Sequence, residues 1–453
     1  MKQKKFYLSE QELPTQWYNI QAEMPNKPLP PLNPQTKEPL SADDLSHIFA
    51  HECSVQELDQ SHAWIDIPED VLEKYRFYRS TPLVRAYALE QALGTPAHIY
   101  FKNESVNPLG SHKINSALPQ CYYCKQEGIT NVTTETGAGQ WGAALSYAAK
   151  IYGLECAVYQ VKITMQQKPY RSSLMKTFGA TVVASPSMST RAGKDIITAN
   201  PLHPGSLGTA ISEAVELATT TPNCKYTLGS VLNHVALHQT IIGLEAEKQM
   251  QMAGEYPDTV IACFGGGSNF AGIAFPFMRH KLSGERNTDF IAAEPESCPK
   301  LTRGKFQYDF GDSSGYTPLL PMFTLGHQFT PANIHAGGLR YHGAGMIISQ
   351  LLKDGYLRGV DIPQLESFDA GMLFARTEGI IPAPESCHAI AATIREANKC
   401  KETGEQKVIL FNLSGHGLID MPSYEQFLSG ELQNYSITDE LIAKNVSELE
   451  QII

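Results

Sequence analysis

The chain has 453 residues, room for about three domains at roughly 150 residues each. Its 42% hydrophobic and 18% charged residues are those of an ordinary globular protein. A net charge of −11 without a long Lys/Arg run argues against nucleic acid and anionic membrane as partners, since both are bound through basic patches. The basic start, Met1-Lys-Gln-Lys-Lys, is not followed by an apolar h-region, and no apolar run reaches the ~20 residues that span a bilayer. A cytoplasmic chain is expected. Nine scattered cysteines, an odd number, fit reduced thiols better than a disulfide framework.

Six prolines between Pro25 and Pro39 prevent one regular element there and predict an extended arm laid over a surface. A polar helical stretch follows to about residue 60. From Thr81 the pattern alternates. Strands are expected at 98–104, 131–136, 154–161 and 180–186, with helices at 114–128, 140–153, 171–179 and 208–220. After Leu228 the alternation resumes with a helix at 239–254, a strand at 259–267, a helix at 269–282 and a strand at 289–296. Residues 297–345 read as loop, and a helix at 387–400 precedes a last strand at 407–415. Apolar strands between amphipathic helices mean parallel sheets covered on both faces. The expected fold is α/β, with two doubly wound three-layer αβα domains and a cleft between them. Their limits are put at 81–230 and 231–453, with residues 1–80 as an arm packed on the second.

In such sheets ligands sit at the carboxyl ends of strands, near helix N-termini. Gly265, Gly266, Gly267, Ser268 and Asn269 follow a strand and open a helix, which describes a cup for one phosphate. The spacing lacks the dinucleotide fingerprint and the Gly-Lys-Ser/Thr of a P-loop. Thr136, Gly137, Ala138, Gly139 and Gln140 form a second such loop, suited to a small carboxylate, with Glu135 as an acid at its edge. The stretch Leu109-Gly-Ser-His-Lys-Ile-Asn places Lys113 at a third strand-to-helix junction, where the helix dipole disfavours a cation. By itself Lys113 reads as a solvated surface residue. Beside the two loops it reads as an amine with a lowered pKa, able to form a Schiff base with an aldehyde. A cofactor with one aldehyde and one phosphate is pyridoxal phosphate (PLP). Ser414, ending the last strand, suits a hydrogen bond to a ring nitrogen without protonating it. Cys121-Tyr-Tyr-Cys124 and the pair His234 and His238 have metal-ligand spacing but no completing residues, so no metal site is assigned.

In order along the chain, "TPLVRA", "GSHKIN", "ETGAGQ", "GGGSN", "EGIIPAPESCHA" and "NLSGHG" resemble the tryptophan synthase β chain family of fold type II PLP enzymes, in its longer second-type subgroup. The resemblance covers residues 79–420. It implies condensation of L-serine with indole to L-tryptophan through an aminoacrylate intermediate. It also implies a cytoplasmic homodimer, weak or absent α-subunit association and a monovalent cation. Lys113 would carry PLP and shuttle the Cα proton. His112, Asn115 and the 265–269 loop would bind the cofactor, with Glu378 near its ring and Ser414 at its nitrogen. Glu135 would assist departure of the serine hydroxyl, and residues 136–140 would bind the substrate carboxylate.

Two positions depart from the family pattern: Trp141 replaces its His, and Arg340, in Gly338-Leu-Arg-Tyr341, replaces its Asp. Arginine binds phosphate bidentately, so O-phosphoserine enters as a donor besides serine or in its place. A serine or threonine deaminase, in which water replaces indole, is the rival activity. A non-catalytic PLP-binding protein is the other.

Overall fold

The computed structural model describes residues 3–452; Met1, Lys2 and Ile453, within the expected arm and second domain, lie outside them. Two sheets organise the chain. The smaller has four parallel strands in the order Thr181–Ser185, Glu155–Val161, Asn131–Thr136, Cys224–Tyr226. The larger has seven: Lys5–Phe6, Leu83–Arg85, His98–Asn103, Val408–Leu413, Thr259–Cys263, Asp289–Pro295 and Arg358–Ile362. Only its first two pairings are antiparallel. The central strands are buried apart from the partly exposed Val408 at one strand's start, as parallel strands covered by helices on both faces must be.

Sheet membership departs from the division at residue 230. His98–Asn103 pairs with Val408–Leu413 over six positions, so residues 83–103 belong to the sheet of the C-terminal half. The contiguous segment from 131 to 226 carries the smaller sheet alone. Local periodicity marks each strand but carries no information on a partner 310 positions away, as Val408 is from His98.

Residues 297–345 also differ from expectation. Lys305–Phe310 and Leu319–Thr324 form an antiparallel hairpin with six paired positions. The arm contributes its own core: Trp17 and Tyr18 are fully buried, and Trp17 packs on the His238 ring at 4.6 Å. Glu57, in the arm helix His51–Leu58, accepts from the backbone of Asn233 and His234 and from His234 Nδ1 at 2.8 Å. His238 faces Gln56 and Ser116, so both histidines are spent in tethering the arm. The arm therefore packs on the helices after residue 233 and, through Gln56 and Tyr123, on the helix that follows Lys113.

No described helix is long and apolar enough to cross a membrane. All nine cysteines are free and buried.

Because Trp17 is fully buried while Trp64 is 40% exposed, Trp17→Ala should destabilise the protein by about 3–5 kcal/mol. Trp64→Ala should cost a small fraction of that. Calorimetric unfolding of the two variants checks the contrast.

Candidate functional site

Four strand ends and the turns that follow them meet in one cleft. Lys113 precedes the helix Ile114–Gln126. Its loop is anchored to the last strand of the larger sheet, where His112 N donates to Ser414 O at 3.0 Å. Lys113 Nζ donates to Gly229 O and, at 3.1 Å, to Ser268 Oγ. His112 Nε2 lies 3.3 Å from the same hydroxyl. Burial lowers the Lys113 amine to about 8 despite Glu135 and Glu385 nearby. Burial also lowers His112 to about 3, with Lys113 adding to the effect, so the imidazole is neutral at pH 7.

The backbone N–H groups of Gly265, Gly266 and Gly267 have no acceptor among the described residues. They precede the helix Ser268–Leu282, so the dipole adds to an anion-binding concavity. A Cβ on Gly266 would meet Ser230 Oγ at 2.6 Å and Val231 N at 3.1 Å; only glycine lets the loop lie this close to its neighbour. The loop at 137–139 repeats the arrangement, with the Gly137, Ala138 and Gly139 N–H groups equally free, before the helix Gln140–Tyr152. Gly139 has φ 88°, and a Cβ there would press on Arg171 Cβ at 2.6 Å.

Glu135 is the last residue but one of the strand Asn131–Thr136 in the smaller sheet and is buried. Burial raises its carboxyl to about 8, although a hydrogen bond from Tyr226 opposes this. Trp141 Nε1 donates to Thr134 Oγ1 at 2.6 Å, and that hydroxyl donates to Thr227 O at 2.6 Å. The indole ring packs against Gly229, whose carbonyl holds Lys113. Lys113, Glu135, Thr136, Gly137, Ala138, Gln140 and Trp141 all line one cavity. Ser414 Oγ lies 2.7 Å from Ser386 Oγ and 3.5 Å from Cys263 Sγ, with no carboxylate on it.

Two expected members are placed elsewhere. Glu378, the last residue of Gln364–Glu378, pairs with Lys4 at 2.9 Å and accepts from Leu89 N. The carboxylate that reaches the cleft is Glu385, which accepts from Gly338 N at 3.0 Å and acts on the Lys113 charge. Both glutamates belong to the same motif. Glu385 opens the helix Pro384–Thr403, where an acid is favoured, and that was the available signal. Asn115 is also removed from the cofactor set. Its Nδ2 donates to Glu104 and Gln239, and its Oδ1 accepts from Arg79 and Tyr78. Every polar valence of its side chain is therefore taken. Tyr226 and Ser386 went unnoticed because neither stands in a glycine-rich turn.

Arg340 is buried, two residues from Gly338, which lines the cavity; Arg340 itself is not part of the lining. Its Nη2 donates to Pro331 O and Asn333 Oδ1, both at 3.1 Å, while its Nε has no acceptor. No described carboxylate lies within ion-pair distance of it, and burial lowers its pKa to about 10. Close by, Lys168 and Arg171 share Asp420 at 2.6 and 3.2 Å. Among the described residues no group of His, Cys, Asp and Glu is placed to hold a metal ion.

The residues present fit PLP: a desolvated amine, a free N–H cup beside it, and a hydroxyl aimed from the opposite strand end. The family of pyridoxal-phosphate dependent enzymes matches residues 75–415. The chain is 56% identical to tryptophan synthase beta chain 2 of Aquifex aeolicus, over 95% of this chain and 99% of that one. It is 55% identical to the protein of that name from Thermotoga maritima, over 92% and 98%. Among solved structures, a fungal L-serine ammonia-lyase from Rhizomucor miehei matches with TM-score 0.60 at 16% identity, covering 78% of this chain and 99% of that one. A threonine deaminase from T.th. matches with TM-score 0.56 at 19% identity, over 77% and 97%. The last two likenesses show the fold: fold type II of the PLP enzymes. By these matches and by its site, the chain belongs to the pyridoxal-phosphate dependent enzymes and, within them, to the second-type tryptophan synthase β chains.

Proposed function

We propose that the chain condenses L-serine, or its O-phosphate, with indole to give L-tryptophan. The observation that carries this reading is the placement of Lys113 and Glu135 on one cavity, with the free 265–267 N–H cup joined to Lys113 through the Ser268 hydroxyl, in a chain 56% identical to a tryptophan synthase β chain. When bound, PLP supplies the electron sink that lets the donor's Cα–H and Cβ–O bonds break. Lys113 holds the cofactor and moves the proton at Cα. His112, Ser268 and the glycine N–H groups would hold its phosphate, with Asn269 contributing through its backbone N–H, because its side chain is bonded to Cys263 and Asn412. The Ser414 hydroxyl would donate to the ring nitrogen and leave it uncharged, since no carboxylate is within its reach.

The free N–H groups of 137–139, with Thr136 and Gln140, hold the donor's carboxylate. Glu135, a protonated acid at pH 7, gives its proton to the departing oxygen at Cβ. An apolar cavity lined by Phe49, Ile211, Leu228, Leu232 and Tyr226 adjoins Glu135 through Tyr226 and supports an apolar acceptor. Arg340 supports O-phosphoserine as the donor. A buried guanidinium without a carboxylate is costly, and an arriving phosphate dianion offsets that cost. We further take the enzyme to be a cytoplasmic homodimer with a monovalent cation and no tightly held α subunit.

Two measurements test this. O-phosphoserine should exceed serine in kcat/KM, and Arg340→Asp should lower the value for O-phosphoserine by roughly 10- to 100-fold while sparing serine, as expected for a charge-assisted bond. Preference for serine with no effect of the substitution would remove the phosphate donor; pyruvate formation indifferent to indole would make the enzyme a deaminase. Because the Lys113 amine titrates near 8, PLP should reload the cofactor-free protein about tenfold faster per pH unit up to pH 8 and then level off. An ordinary lysine would keep accelerating toward pH 10.

A further inference from the structure

We propose that Tyr226 is the positioning residue of Glu135. Its hydroxyl holds one carboxylate oxygen, leaves the other turned to the cleft, and sets the pH at which the carboxyl ionises. The inference rests on the role given to Glu135 above.

Tyr226 ends the strand Cys224–Tyr226, in register with Thr133 on the strand that carries Glu135. Its hydroxyl donates to Glu135 Oε2, whereas Glu135 Oε1 has no side-chain donor among the described residues; the carboxyl otherwise takes a weaker hydrogen bond from its own backbone N–H. The neighbouring Thr134 hydroxyl lies 3.5 Å from Oε2. Its single proton goes to Thr227 O, and it accepts from Trp141, so it cannot take over. Lys113 spends its amine on Gly229 and Ser268. Tyr341 also faces this region, with Asp312 behind it, but its hydroxyl donates to Gly311 O at 3.0 Å. Tyr226 is therefore the one side chain described that donates with good geometry to the Glu135 carboxylate. Its ring lines the apolar cavity, so only a tyrosine meets both requirements at this position.

A donor to the charged form favours that form, so losing it raises the pKa. Burial already sets the Glu135 carboxyl near 8 with Tyr226 in place. In the holoenzyme, the carboxyl infrared band that disappears in Glu135→Gln can be titrated directly. In Tyr226→Phe, which keeps the ring, its midpoint should move up by about one to two pH units. Tyr341→Phe, which removes a hydroxyl from the same cavity wall, should leave the midpoint in place. Replacing Tyr226 by 3-fluorotyrosine, a stronger donor of equal shape, should move it down. An unshifted midpoint in Tyr226→Phe, or an equal shift in Tyr341→Phe, overturns the proposal. The titration requires no turnover. A wild-type enzyme that makes no tryptophan therefore overturns the assigned reaction, and the Tyr226 result is read independently of it.

Discussion

Lys113 and Glu135 face one cleft, and desolvation works against the charge of each. The amine falls and the carboxyl rises until both titrate near 8. Each is thereby ready to exchange a proton at neutral pH, which neither would be in water. The rest of the site adds little net charge around this pair. The loops at 137–139 and 265–267 use backbone N–H groups, which carry no net charge and have no flexible side chain to order. His112 remains neutral, and Ser414 faces the cleft from the opposite sheet with only hydroxyl and thiol neighbours.

Beneath Lys113 lies a different solution to burial. Arg79 and Lys102 are fully buried with Glu104 and Glu245. Two cations and two anions leave no net charge, and Thr81, Asn115 and Gln249 supply the remaining hydrogen bonds. Burial raises the Glu104 carboxyl, but Arg79 and Lys102 outweigh it and hold the carboxyl down near 2. The network joins the end of the arm, the third strand of the larger sheet, the helix Ile241–Ala253 and the helix following Lys113. Asn115 belongs to this foundation, two residues from the amine whose position it fixes.

Much of this was legible in the sequence, for identifiable reasons. The alternation of strands and helices and the glycine-rich turns are local, and 131–136, 140–152 and 268–282 fall close to where periodicity puts them. Lys113, Glu135, the 265–269 loop and Ser414 stood out because each breaks a local rule at a strand end. What depends on pairing did not stand out. The hairpin at 305–324 was hidden among glycines and prolines, although Phe306, Tyr308 and Phe310 alternate as a strand should. The partner of 98–103 is set by three-dimensional packing alone. Glu385 was legible from the helix dipole, yet Glu378 shares its motif. Tyr226 ends a strand of three residues, too short to carry a period.

The composition of the larger sheet also orders events in time. Its strands come from both ends of the chain, and His112 meets Ser414 across 302 positions. The smaller sheet is drawn from one contiguous segment and has all its strands once residue 226 has been synthesised. The cleft cannot close until Val408–Leu413 emerges and slots between His98–Asn103 and Thr259–Cys263. A ribosome-bound chain thus carries Lys113 through some three hundred further residues without the pocket that desolvates its amine. Long-range parallel pairing of this kind forms slowly, and here it delays the enclosure of Lys113 until the strand Val408–Leu413 is in place.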